Sequence, residues 1–207
     1  MEWEQVAIAA LSGGTISGVL ETMRFLLKRA DRKTQQVHRD HWLRALSEKR
    51  ELLNILNRLA SDTPADRAMI TKLSNGGEMP TCGSMWSTIV DESGNGRLPR
   101  AGDKWRNVPI DPESREICAR AIQVGSVTMD VDSMSGQAGA FLASQGVAYA
   151  ELYFLCHVKG ASYFLALNFC EPRHKLALGA LYADEIRQAM IRVSEIVKHS
   201  HKVAGRA

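Results

Sequence analysis

The sequence predicts an α+β protein: a long helical N-terminal segment followed by a sheet flanked by helices. Three observations point there. Residues 1–60 contain no proline and repeat their apolar side chains at helical spacing. From Ala65 onward, short apolar runs alternate with turn residues and amphipathic stretches. Two of those runs, Ala148–Val158 and Ser162–Phe169, meet at Lys159-Gly160-Ala161, as paired strands do.

The first element is a helix over residues 1–27, within a hydrophobic N-terminal segment 1–30. Ala10, Gly14 and Gly18 recur every fourth residue, as do Ala9, Gly13 and Ser17 beside them. Each glycine costs a helix in water about 1 kcal/mol, and close helix–helix approach is the usual compensation. Val6–Leu20 carries no charge, which is fifteen residues against the roughly 20 a bilayer requires. Extension to Leu27 includes Glu21 and Arg24, three apart and able to pair. Acidic Glu2 and Glu4 precede the run, and Lys28, Arg29, Arg32 and Lys33 follow it, which places its C-terminal side in the cytoplasm if it inserts. Three readings stand: a membrane-inserted or membrane-associated helix, a soluble helix that oligomerises through the small stripe, and a helix docked on its own domain.

A connector, 31–60, comes next. Trp42, Ala45, Leu46, Leu52, Leu53, Leu56, Leu59 and Ala60 fall on one side of a helix over 35–60, predicted to pack on the following domain. Ser61-Asp62-Thr63-Pro64 ends it. The domain proper, 61–198, opens with a strand at Ala68–Leu73 closed by Asn75-Gly76-Gly77. A second strand at Met85–Val90 leads into a loop, 91–109, long enough to suggest a purpose. Asp111-Pro112-Glu113 starts a helix with an N-cap, a proline at the first position and an acidic first turn. A strand at Ser126–Val131, a helix at Gln137–Gln145, the two long strands and a helix at Leu176–Lys198 complete the domain. Leu178, Leu181, Ile186, Ala189, Met190, Val193 and Val197 form that last helix's apolar side. Residues 199–207 read as a loose polar tail.

Composition narrows the function. A net charge of +3, from 26 basic and 23 acidic residues, and 6% aromatic residues argue against specific nucleic-acid binding. The sequence has no G-x-x-x-x-G-K-S/T, no G-x-G-x-x-G after a strand, no G-x-S-x-G and no H-E-x-x-H. Cys82, Cys118, Cys156 and Cys170 have no C-x-x-C spacing and read as reduced, mostly buried thiols. His38 and His41, with His199 and His201, supply too few ligands at any one place for zinc and read as solvated helix residues. Asp130 and Asp132 would share one face of a strand, as a divalent-cation site requires, and read more simply as a solvent-facing edge. Cys82 has no neighbouring histidine or helix N-terminus to activate it. Trp86, Trp105 and the Asn75-Gly76-Gly77 turn could line one small-ligand cavity, with core filling as the simpler role for the two tryptophans.

The stretch Ala65-Asp66-Arg67-Ala68, leading through a strand to Leu73-Ser74-Asn75-Gly76-Gly77, resembles the opening of GAF-like domains. The later order of elements, from Asn107-Val108-Pro109-Ile110 to the terminal helix, is similar to theirs over residues 43–198. The resemblance implies an antiparallel sheet with helices against one face and a loop-closed pocket on the other. Loops within 77–109 would lie near that pocket, and Asn75, Gly76, Cys82, Trp86 and Trp105 are the candidate ligand-binding residues. Ser74 stands where the family usually has histidine before Asn-Gly-Gly. No cysteine suits a bilin, and no phosphodiesterase-type nucleotide signature or sulfoxide-reductase cysteine arrangement is present, so no cofactor and no catalytic residue is expected. Small proteins with a hydrophobic N-terminal helix before a GAF-like domain also resemble products of bacteriophage genomes.

The leading expectation is a non-enzymatic GAF-like binding or interaction module. Its N-terminal helix would anchor it to a membrane, with the domain cytoplasmic, or join it to further copies of itself. The alternative is a structural component of a phage particle, or of its DNA-delivery or lysis apparatus, contacting other virion proteins. An enzyme using Cys82, or a metal at Asp130 and Asp132, is a third reading.

Overall fold

A computed structural model describes residues 16–74, 85–173, 176 and 179–204. The chain divides into two units, Met1–Ser47 and Glu48–Ala207. Helix α1, Ile16–Asp62, contributes to both. The remaining elements are β1 (Arg67–Ser74), β2 (Trp86–Gly94), β3 (Val108–Pro109), α2 (Pro112–Val124), β4 (Ser126–Asp130), α3 (Gln137–Ser144), β5 (Tyr149–Val158), β6 (Ala161–Phe169) and α4 (Ala180–Ala204).

The strands form one antiparallel six-stranded sheet in the order β3-β2-β1-β6-β5-β4. Its central pair is β1 and β6, and β6 continues from β5 through a hairpin closed by the two-residue turn Lys159-Gly160. Both turn residues have positive φ, 46° and 75°, as the primed hairpin turns that follow the natural strand twist require. One face of the sheet is covered by α1 and α4. Leu52, Leu56 and Leu59 of α1 and Ile186, Ala189, Val193 and Val197 of α4 pack against Ala68, Ile70, Leu165, Leu167 and Phe169. The opposite face carries Met69, Leu73, Ile89, Leu152, Phe164 and Ala166, which meet α2, α3 and the loop before β3.

Several expectations change. One continuous helix occupies 16–62 where the sequence predicts two helices, because Lys28–Thr34 contains neither proline nor glycine to interrupt it. Along α1, Leu52, Leu56, Leu59 and Ala60 are buried, but Trp42, Ala45 and Leu46 are exposed rather than packed on a domain. Leu181 of α4 is likewise exposed. The C-terminal helix continues through the predicted loose tail to Ala204, tied down by His199 Nδ1 against Glu48 Oε1 (2.6 Å) and His201 Nε2 against the Tyr163 hydroxyl (2.6 Å). β4 ends at Asp130, and Val131–Ser133 is a 3-10 turn, so Asp130 and Asp132 do not share a strand face. Among the described residues, no helix is long and apolar enough to cross a membrane, and no group of three His, Cys, Asp or Glu side chains could hold a metal.

Ala10 and Gly14 lie outside the described residues, as do Asn75, Gly76 and Cys82; Gly18 belongs to the first turn of α1.

Candidate functional site

Between the sheet and α2 and α3 lies a partly open apolar cavity of about 110 Å³. Its floor comes from alternate residues of three strands: Met69, Thr71 and Leu73 of β1, Phe164, Ala166 and Asn168 of β6, and Ala150 and Leu152 of β5. The period-2 alternation of a strand separates these from the opposite-face core residues Ala68, Ile70, Leu165 and Leu167. α2 supplies Ser114, Ile117 and Cys118, and α3 supplies Ala138, Phe141 and Leu142, each set spaced as one face of a helix.

The long loop brings Trp105 to this cavity. The indole lies 4.4 Å from the Phe141 ring, centroid to centroid, and its Nε1–H donates to Ser87 Oγ at 3.0 Å. The loop is fixed from both sides. Glu92 accepts the backbone N–H groups of Ala101 (2.9 Å) and Gly102 (3.0 Å), and Ile89 N–H donates to the Trp105 carbonyl at 3.0 Å. Further along, Arg67 Nη1 donates to the Pro99 carbonyl at 2.7 Å.

Asp66 and Arg67, the polar pair of the Ala-Asp-Arg motif, are both buried. Arg67 Nε and Nη2 hold Asn168 Oδ1 at 3.0 and 2.8 Å. Burial pulls the Arg67 guanidinium below its usual range, with Glu92 acting in opposition. Asp66 accepts from Cys170 N–H (2.7 Å) and Asn95 Nδ2 (3.0 Å), and Arg97 Nη1 lies 3.1 Å away. Burial pushes this carboxyl upward, but those donors and the Arg97 charge outweigh it and hold it below the usual carboxylate range. The motif thus fixes the start of the loop and one end of the cavity floor.

At the opposite wall, two carboxylates at the start of α2 reach the start of α3. Asp111 Oδ1 caps its own helix through Ser114 N–H at 2.7 Å, and Oδ2 accepts from Gln137 N–H. Glu113 accepts from Ser135 N–H at 3.2 Å and from Gly136 N–H. A Cβ at Gly136 would stand 2.6 Å from Asp111 Oδ2, so a side chain there would expel the clamp. Burial pushes Asp111 upward, and the Ser114 and Gln137 N–H groups together with Arg115 bring it below its ordinary value. Cys118, facing the cavity between these walls, has its thiol pushed up to about 11 by burial. A thiol so poised is protonated and reacts slowly at neutral pH.

Of the residues singled out in the sequence, Trp105 lines the cavity. Trp86 does not; it is half-buried at the start of β2, opposite Pro109. Sequence reasoning missed Cys118, Phe141, Met129 and Met134. The i, i+3, i+4 spacing of Ser114, Ile117 and Cys118, and of Ala138, Phe141 and Leu142, is the local signal that marks an inward face.

No protein-family model matches the chain, and no curated protein matches it in sequence. Solved structures do match. A Synechocystis GAF domain in its photoproduct state superposes with a TM-score of 0.54 at 12% identity, over 76% of this chain and 97% of that one. The GAF domain of a two-component sensor histidine kinase from Bacillus halodurans gives 0.51 at 9% identity, over 73% and 96%. A GAF domain/HD domain protein from Geobacter sulfurreducens gives 0.50 at 11%, over 72% and 92%. With the strand order and the helices on both faces, these likenesses establish that the chain folds as a GAF-like domain.

Proposed function

We propose that this protein is a non-enzymatic GAF-like module that binds a small molecule beneath its sheet and is joined to further copies of itself, or held at a membrane, by its N-terminal helix. The observation that carries the reading is the apolar cavity walled by Trp105, Phe141 and Cys118. Concave, mostly apolar sites with a few placed polar groups are where small ligands bind. The GAF-like fold supports it, since the Bacillus halodurans neighbour is a sensor kinase domain. Support for the helix role is the exposure of Met23, Phe25, Leu27, Trp42, Leu43 and Leu46 along α1, large apolar side chains that gain by being covered.

A thermal-shift screen of the full chain against a metabolite panel, with mass spectrometry for co-purifying molecules, tests the binding role. At least one stabilising compound is expected, and a panel without any, on a chain that also carries none, would defeat it. Comparison of the full chain with a variant lacking residues 1–30 tests the helix role. Loss of carbonate-resistant membrane pelleting, or of oligomeric mass, is the expected result. If both forms are soluble monomers, neither anchor nor oligomer stands.

A further inference from the structure

Taking the cavity to be a ligand site, as proposed above, we infer that its ligand is a compact, neutral, apolar molecule of about one aromatic ring. Size is the first ground. An apolar cavity of about 150 Å³ takes up benzene, whereas sites for drug-sized ligands run to about 300–1,000 Å³. At about 110 Å³, the space beneath β1, β5 and β6 fits a single ring once flexible walls yield slightly. Those walls are suited to it, because Met69, Met129 and Met134 are unbranched and adaptable.

Chemistry is the second ground. No charged side chain is among the described residues that line the space. Ser87 Oγ is already engaged by the Trp105 indole N–H, and Asn168 Oδ1 by two nitrogens of Arg67. An anion or cation placed here would lose its hydration and meet no countercharge among the described residues, which is strongly unfavourable. Four sulfur atoms, of the three methionines and Cys118, instead offer polarisable contacts of the kind that favour the edges of aromatic rings.

The third ground is that the space is held open. Cores are packed with few voids larger than a water molecule. Here the Asp111 and Glu113 carboxylates fix the start of α3 relative to α2, and Glu92 and Arg67 fix the loop that carries Trp105. Collapse of the walls onto one another would break these bonds.

The test uses the full chain with four probes: toluene and indole, benzoate as a charged ring of similar size, and phycocyanobilin as an extended molecule. Two readouts apply, the thermal midpoint and the rate at which methyl methanethiosulfonate labels Cys118, resolved by peptide mass spectrometry. Toluene and indole should raise the midpoint by about 3 °C or more and slow labelling of Cys118 several-fold, with benzoate and phycocyanobilin doing neither. Ala138→Leu and Cys118→Leu each place atoms in the cavity, and either should abolish the toluene shift, so one folded variant suffices. Stabilisation by benzoate or phycocyanobilin with none by toluene or indole would overturn the ligand class while leaving a ligand-binding module standing. A toluene shift undiminished in a filled variant would also overturn it, by placing the binding elsewhere. No effect from any probe would overturn the inference, and the metabolite screen would then decide the broader reading alone.

Discussion

The two faces of the sheet are built from the same strands yet held by different means. On the α1–α4 face, Leu56, Ile70, Leu165, Leu167 and Val193 are fully buried, and side-chain pairs join the two helices along their length: Glu51 with Arg192, Arg58 with Glu185, and Glu48 with His199 and Ser200. Such exposed pairs contribute about 0–1 kcal/mol each, so this face depends on close packing, and the pairs mainly set register. On the α2–α3 face, carboxylates grip backbone N–H groups, and the apolar residues between them leave a space. Close packing favours adhesion; rigid polar pins keep walls apart. The difference separates a face that holds the domain together from one that can admit something.

The largest test of this contrast pairs two leucine truncations. Leu165→Ala, on the packed face, should lower unfolding free energy by about 4 kcal/mol. Leu152→Ala, which already borders empty space and has fewer contacts to lose, should cost about 2–3 kcal/mol. Equal losses in urea titrations would break the comparison. Next in size, Arg67→Met leaves Asn168 Oδ1 and the Pro99 carbonyl without their charged donor, and about 3 kcal/mol should be lost. Amide exchange should rise across residues 95–101, and unchanged exchange there would mean that Arg67 does not pin the loop.

Enlarging small residues sharpens the contrast further. Ala68→Val adds methyl groups to a fully buried position on the packed face and should cost about 1–3 kcal/mol. Ala138→Val, facing the cavity, should be neutral within about 0.5 kcal/mol or slightly stabilising. Among the destabilising changes the mildest is Asp111→Ala, about 1 kcal/mol at pH 7 through loss of the cap. The folded chain holds the Asp111 carboxyl below its ordinary value, so the stability it contributes is complete above about pH 5 and disappears as pH falls below about 4 toward the folded value. The gap in thermal midpoint between parent and variant should therefore narrow steadily as pH falls below about 4. A gap that stays constant over that range would assign the clamp to something other than the ionised carboxylate.

Much of the fold was legible. Strand alternation located β1, β5 and β6, and the Asp-Pro-Glu sequence marked the start of α2, because those signals are local. The continuity of α1 was not read, since a dense run of charges resembles a boundary although every residue in it is compatible with a helix. The end of α4 was misjudged because the groups that order it, Glu48 and Tyr163, lie 151 and 38 residues away in sequence. Of the site, Trp105 was visible as an aromatic in a long loop and Ala-Asp-Arg as a motif. The partners that give them meaning, Ser87, Pro99, Asn168 and Cys170, come together only through the sheet.

Strand β5 separates two unlike neighbours. Ala150 and Leu152 face the cavity, while Tyr149, Glu151 and Tyr153 face α4. The buried Glu151 carboxylate accepts the hydroxyls of Tyr149 at 2.8 Å, Tyr153 at 2.6 Å and Tyr182 of α4. Removing Tyr182 from that cluster would strip a buried carboxylate of one of its donors, which couples the start of α4 tightly to the strand. The far end of the same helix is stitched to β6 through His201 and Tyr163. With both ends of α4 fastened, a displacement of β5 would be resisted by the helix as well as by the neighbouring strands, and the phenol cluster is the contact through which the two elements would feel one another.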